Sequence, residues 1–354
     1  MRLSLRPVLF IALLFSASAQ ASGGSLSLME NWQNMGNAPI AVSPDASLIA
    51  TTRSPLGSPY RPYDTRLEVR DTRTMKLLYR AQPANGDGKT LLFSPDSKTL
   101  WTAHTGTLHY DARSGQPLEN REGSDGPGVS ALAFSPGGET YALAGVNVIG
   151  NHSVSLHDTA SGKLQWSGTP SPPTSAESER ANWVHSLAFS PDGSLVASGS
   201  GGGGVILRNA QTGKRLRHLT DTAEGATRAM RKGWTAHADT VTAVHFLSPT
   251  RLLSASRDGK MKLWNASTGK LVARLRLDAG LLATDVTSDG RVLAATGRGL
   301  VLVGTQEDEL RMLEVLRSAP QNPFTDVSVT HKVGKAFHVW LMTRKGTLSH
   351  WLLR

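Results

Sequence analysis

A five-residue fragment, Phe-Ser-Pro-Asp-Gly, recurs in varied form along this chain, and such repetition restricts the fold to an array of like units. The copies read "AVSPDASLIA" from 41, "LFSPDSKTL" from 92, "AFSPGGETYALA" from 133 and "AFSPDGSLVAS" from 188. More divergent ones follow: "HFLSPTRLLSAS" from 245, "DVTSDGRVLAAT" from 285 and "SVTHKVGKAFHV" from 328. A second motif trails most of them: "VRDTRTMK" (69), "HYDARSGQ" (109), "LHDTASGK" (156), "LRNAQTGK" (207) and "LWNASTGK" (263). The units stand about 40 to 57 residues apart, and each parses into four short strands, as in "TVTAVHF", "RLLSAS", "KMKLWNA" and "KLVARLRL". Seven such units predict an all-β, seven-bladed propeller.

The blades are expected at 37–83, 88–122, 127–168, 182–220, 236–277, 280–318 and 323–354. Strand a carries Val-x-x-(Leu/Val)-x-Phe three times: Val129, Leu132, Phe134; Val184, Leu187, Phe189; and Val241, Val244, Phe246. The last unit ends at its third strand, "TLSHWLLR", which leaves an edge unpaired. Residues 25–32, "SLSLMENW", are the one unassigned strand-like run, and they are expected to pair there and close the ring.

The glycine run "GSGGGG" (199–204) invites comparison with phosphate-binding loops, which need a helix N-terminus and, in the Walker form, a terminal Lys-Ser/Thr. Here Val205-Ile206-Leu207 follows, a strand, so the run reads as a turn between strands b and c.

At the N-terminus, Arg2 and Arg6 precede an apolar stretch from Val8 to Phe15 and an Ala19-Gln20-Ala21 cleavage pattern. Residues 1–21 are therefore expected to be a signal peptide, with Ser22 as the mature terminus and a periplasmic or secreted location. The apolar run is too short for a membrane span of roughly 20 residues. Cysteine is absent, which excludes disulfides, thiolate metal sites and covalent c-type haem. The formal charge is +10, including the two leader arginines. After export such a charge points to an acidic protein surface or an anionic envelope component, and away from nucleic acid.

The unit at 235–275 resembles the WD40-repeat family: "AHADTVTAVHF" matches Gly-His and strand a, and "SASRDGKMKLWN" matches strands b and c. The resemblance implies a buried structural tetrad of His237, Ser254, Asp258 and Trp264. The preceding unit departs from it, with Arg180, Gly202 and Arg208 at the matching positions. "HDTASGKLQWSG" is also similar to the repeat of pyrroloquinoline-quinone-type propellers, and Ser-Pro-Asp-Gly to that of the Tol-system propeller component.

Insertions gather at one end of the blades. Residues 53–66 and 146–152 are b–c loops, whereas 168–182 and 221–235 are d–a loops. Repeat proteins place insertions where binding occurs, because the repeated core cannot vary. The candidate binding face comprises Tyr60, Arg61, Tyr63, Arg180, Arg228, Arg231, Lys232 and Trp234, combining the side chains that most often anchor interfaces. Residues 223–232 could form a short helical turn. Lys163 and Lys214 fall in turns at the opposite end.

Chemistry is not signalled. There is no His-x-x-x-His, no clustered carboxylates and no G-x-S-x-G elbow, and the 11 histidines are scattered. His109 and His157 take matching strand-c positions, as repeated structure would require. The expectation is a monomeric, non-catalytic protein-interaction scaffold without cofactor, metal or transmembrane segment. The alternative is a hydrolase- or lactonase-like propeller enzyme, or a binder of small ligands or glycans, with its site at the channel mouth.

Overall fold

Two local devices explain why each repeat folds into antiparallel strands. In the Ser-Pro-Asp turn, the serine hydroxyl accepts the N–H five residues on: Leu48 N–H to Ser43 at 2.9 Å, Thr99 to Ser94 at 3.0 Å and Leu195 to Ser190 at 2.9 Å. The same hydroxyl donates to the aspartate two residues on, as Ser43 does to Asp45 at 2.6 Å. In the second motif, the leading Asp or Asn accepts the N–H three residues on, as Asp158 does from Ser161 at 2.7 Å and Asn209 from Thr212 at 2.8 Å. Both are Asx- or Ser-type turns, in which a short polar side chain replaces a backbone partner.

The computed structural model describes residues 26–35, 37–53, 66–81, 90–104, 106–118, 128–146, 152–169, 183–224, 235–306, 308–318, 321–330 and 335–354. The chain begins with β1 (Leu26–Trp32) and continues into blade 1, made of β2 (Asn37–Val42), β3 (Leu48–Arg53), β4 (Arg66–Asp71) and β5 (Leu77–Ala81). Blade 2 holds β6 (Thr90–Phe93), β7 (Thr99–His104) and β8 (Gly106–Asp111). Blade 3 holds β9 (Gly128–Phe134), β10 (Thr140–Val146), β11 (His152–Asp158) and β12 (Leu164–Gly168). Blade 4 holds β13 (Val184–Phe189), β14 (Leu195–Ser200), β15 (Val205–Asn209) and β16 (Arg215–Leu219). Blade 5 holds β17 (Val241–Ser248), β18 (Arg251–Ser256), β19 (Lys260–Asn265) and β20 (Leu271–Arg276). Blade 6 holds β21 (Leu281–Val286), β22 (Val292–Thr296), β23 (Gly299–Gln306) and β24 (Glu309–Arg317). Blade 7 holds β25 (Phe324–Val329), β26 (Phe337–Thr343) and β27 (Leu348–Leu353).

Each blade is an antiparallel meander, and the seven first strands touch one another in a closed cycle, which makes them the inner wall of a seven-bladed propeller. The described residues contain no helix. The core is divided among the seams between blades. Leu48, Leu67, Phe93 and Tyr110 fill the seam of blades 1 and 2, and Val205, Leu207, Val241 and Trp264 that of blades 4 and 5. Burial is therefore shared between neighbours, so one blade could not bury its faces alone.

Closure follows the expected route. β1 pairs antiparallel with β27, from Leu26 opposite Leu353 to Trp32 opposite Leu348, and the seventh sheet runs β1-β27-β26-β25. The run "GSGGGG" links β14 to β15 as a turn.

In blade 2 the expected fourth strand falls mostly outside the described residues, which end at Leu118 in this unit. Among the described residues its sheet has three strands, and its outer edge receives one bridge, Tyr110 to Pro117. Pro117 has no N–H to extend a ladder at that point.

Candidate functional site

Strand direction sorts the connections between the two ends of the ring. The a–b and c–d turns lie at one end and are short, as at 43–47, 94–98, 190–194 and 210–214, the longer exception being 330–336 of blade 7. The b–c and d–a connections leave from the other end and include 54–65, 147–151, 169–183 and 220–240. All eight residues of the candidate binding face (Tyr60, Arg61, Tyr63, Arg180, Arg228, Arg231, Lys232 and Trp234) lie outside the described residues, as does the helical turn considered for 223–232 beyond Glu224. The described strands fix where these segments start and end, all on one side of the ring.

The root of one long connection is strongly held. The Asp221 N–H donates to Thr235 O at 3.0 Å, closing the base of the 221–235 segment. Beneath it Lys262, fully buried on β19, places Nζ 2.8 Å from Asp221 Oδ2, 2.7 Å from Glu224 Oε1 and 2.5 Å from Ala236 O. Lys260 adds a second contact to Glu224 at 2.6 Å, and Arg274 lies 3.5 Å from Asp221. Burial pushes the Asp221 and Glu224 carboxyls up, but their hydrogen bonds and the surrounding cations outweigh it and hold both below their ordinary values. A buried cation is tolerated only when paired on every side, so this cluster ties the connection's root to one geometry. Sequence reasoning missed it: Lys262 alternates within "KMKLWN" as a solvent-facing lysine would, and its acidic partners come from a distant segment.

The structure brings His237, Ser254, Asp258 and Trp264 together inside blade 5. The Trp264 Nε1–H donates to Ser254 Oγ at 2.9 Å, and Ser254 Oγ lies 2.7 Å from His237 Nε2. His237 Nδ1 lies 3.1 Å from Asp258 Oδ2, which also accepts the Ala238 N–H at 2.9 Å. Burial holds the His237 pKa below its ordinary value, against the pull of Asp258. With indole, hydroxyl and imidazole all engaged in one chain, the set has no group left for a substrate.

Pairing register shows what stands at the Trp264 position elsewhere. Trp264 faces Leu252, just as Tyr110 faces Leu100, His157 faces Tyr141, Arg208 faces Val196 and Trp351 faces Val339. His109, one residue earlier on its strand, therefore does not match His157, contrary to the sequence-based expectation. One residue earlier on the strands of Tyr110 and Trp351, and so on the opposite face, His109 stacks on Trp101 at 3.5 Å and His350 on Trp340 at 4.3 Å. His157 Nδ1 meets Gly162 O at 3.1 Å, and Arg208 Nη1–H donates to Gly213 O at 3.0 Å. In blades 3 and 4 the side chain at this position thus caps its own c–d turn. Gly202 occupies the matching position in the b–c turn where blade 5 has Asp258.

The channel has a cavity of about 340 Å³ at its a–b end, walled by Val42, Phe246, Val286 and Val329 with Ser43 and Thr287 at its polar side. No carboxylate or imidazole lines it, and the described residues contain no group of three or more His, Asp or Glu placed to hold a metal. No helix among them is long and apolar enough to cross a membrane.

Six four-stranded sheets and one of three described strands make a seven-bladed β-propeller, and blade 5 holds a His-Ser-Asp-Trp network. Residues 176–208 and 230–265 match the WD domain, G-beta repeat family, and these segments cover most of blade 4 and the network of blade 5. The chain is similar to WD repeat-containing protein 1 of Xenopus tropicalis, 24% identical over 276 residues that make up 74% of this chain and 40% of the relative. The chain thus spans about two fifths of that relative's length. Together these matches support the WD40 family for this chain.

Proposed function

We propose that the protein is an exported, non-catalytic interaction scaffold of the bacterial periplasm or cell envelope, binding protein partners through its b–c and d–a end. The observation that carries this reading is the asymmetry of the connections, with the longest at one end and nearly all of those at the other end minimal. Propellers of WD40 type generally serve as protein-binding platforms. Arg228, Arg231, Lys232 and Trp234, with Tyr60, Arg61, Tyr63 and Arg180, supply the anchors on that end. The partner's matching surface is acidic, in keeping with the net charge of +10. The N-terminal pattern of charge, apolar run and Ala-x-Ala supports export with cleavage after Ala21.

Affinity capture from a periplasmic extract, with mass spectrometry, identifies the partner and the mature N-terminus together. Replacing Arg228, Arg231 and Lys232 with Glu is expected to weaken that partner's binding about tenfold or more, chiefly through a salt-sensitive on-rate. Replacing Lys163 and Lys214 with Glu, at the opposite end, is expected to change it little. Equal losses from both sets would show that net charge drives binding, without a defined face. A cellular pool consisting of uncleaved chain would overturn the export reading.

A further inference from the structure

Four arginines share one face of blade 1 with a single carboxylate. Arg66, Glu68 and Arg70 alternate along β4 with Leu67 and Val69, which fill the seam toward blade 2. Arg53 stands directly opposite Arg66, and Arg80 opposite Glu68, so all five side chains are on the face turned toward blade 7. Ile49, opposite Arg70 on that face, joins the cluster of Trp340 and Met342. Glu68 is buried and accepts from Arg70 Nη2 at 2.7 Å and from Arg80 Nε at 2.9 Å, with Arg53 Nη1 at 3.8 Å. Burial pushes the Glu68 carboxyl up, but Arg80 and Arg70 outweigh it and hold it below its ordinary value, so it is ionised at neutral pH. One negative charge thus meets three cations, while Arg66 pairs with no described carboxylate. Like charges directly opposite on paired strands repel, as Arg53 and Arg66 do. The Arg70 Nε–H is buried without a described partner.

Blade 5 shows how the chain itself can balance this face. Asp71 and Asn265 open equivalent turns, each accepting the N–H three residues on at 2.8 Å. Glu68 therefore stands where Lys262 does, Arg66 where Lys260 does and Arg70 where Trp264 does. Arg80, opposite Glu68, matches Arg274, opposite Lys262. In blade 5 three cations meet two carboxylates, Asp221 and Glu224, which arrive from the preceding connection. In blade 1 four cations meet one carboxylate, and the preceding connection, "QNMG" at 33–36, has no acid to offer. The two negative charges that the chain supplies to blade 5 have no described counterpart in blade 1.

We propose that Arg53, Arg66, Arg70 and Arg80 form a binding site for a phosphate group, which brings those two charges from outside the chain. A phosphate carries close to two negative charges at neutral pH and several acceptor oxygens, which suits guanidinium forks approaching from three strands. The Arg53 and Arg80 side chains are 40% and 49% exposed and open the site to solvent, whereas Arg70 lies deeper. Glu68 is a positioning residue: by taking Arg80 through Nε it leaves the terminal N–H groups of that guanidinium without a described partner. The site does not depend on the protein-binding reading of the b–c and d–a end.

Calorimetric titration of the purified protein with inorganic phosphate tests this, at about pH 7.5 with ionic strength held by chloride near about 0.15 M. Saturable binding of one phosphate per chain is expected. Arg66→Gln removes a cation that holds no described carboxylate, so it is expected to leave melting in phosphate-free buffer unchanged or raised while weakening phosphate binding several-fold. Arg53→Gln with Arg80→Gln, which leaves Arg70 on Glu68, is expected to weaken binding on the order of tenfold or more. Lys163→Gln with Lys214→Gln removes the same charge at the opposite end and is expected to leave binding unchanged. No saturable heat up to about 10 mM phosphate would overturn the proposal, as would equal weakening by both pairs of substitutions. Once phosphate binding is measured, sedimentation with vesicles containing phosphatidic acid separates its sources. Vesicle binding that Arg66→Gln weakens assigns the site to a lipid headgroup, and absence of vesicle binding assigns it to a soluble phosphate.

Discussion

Trp264, Ser254, His237 and Asp258 form a chain in which each donor meets one acceptor, ending on a carboxylate that also takes the backbone N–H groups of Ala238 and Lys260. Burial pushes the Asp258 carboxyl up, but its hydrogen bonds outweigh this and bring it down to about 2. Asp258→Asn replaces the acceptor of three donors with a half-donor group and is expected to cost about 1–3 kcal/mol in denaturant titrations. Because the folded value lies below the ordinary one of 3.8, this stabilisation is complete above about pH 4 and is lost as pH falls toward about 2. The Asn variant is therefore expected to lack that part of the acid destabilisation. These four residues were legible because blade 5 retains a continuous motif. The equivalence of Arg208 to Trp264 was legible too, but not its work in capping the Gly213 carbonyl, which depends on where a turn folds back in space.

At the scale of the blade, the outer strand of one unit latches onto the c–d turn of the next. Tyr79 Oη–H donates to Ala112 O at 3.1 Å, and Trp166 Nε1–H donates to Ala210 O at 2.6 Å. Gly213 lies in that second turn with φ of +69°, and a Cβ added there would stand 2.6 Å from the Trp166 ring. Its glycine is thus required twice, once by the left-handed backbone and once by the neighbouring blade. Gly213→Ala is expected to destabilise by about 2 kcal/mol or more, from backbone strain of about 1–3 kcal/mol and the clash. Trp166→Ala removes the clash and the latch together, so the double variant should lose less than the sum of the two single losses. Additive losses in thermal melts would show that the turn and the ring are independent. The repeated Thr/Ser-Gly-Lys read correctly as a turn, yet the aromatic contact crosses between units and left no local trace.

For the whole molecule, every blade depends on two neighbours, and β1 is the outer strand that makes the cycle complete. Its Leu26 N–H also donates to Glu314 of blade 6 at 3.3 Å, and Trp32 stacks on Trp340 at 5.9 Å. Deleting residues 22–32 is expected to expose the edge of β27, lower the melting temperature and promote aggregation, while blades 2 to 5 keep their exchange protection. Unchanged melting and solubility would mean that the ring holds without this pairing.

By itself the sequence determined the repeat: strand length, turn chemistry and unit number are local properties, written in each Ser-Pro-Asp-Gly and each Asp-x-x-Ser-Gly. It also determined the closure, because a unit one strand short leaves a single run of the right length to complete it. Only the tertiary structure decided which polar groups go into the wall. Lys262 is buried because Asp221 and Glu224 arrive from the preceding connection, and Asp285 and Asp326 bridge seams because a closed ring brings blade 7 against blade 1. Such groups are tolerated in low dielectric only through partners supplied from other units, and those partners meet only when all seven blades are in place.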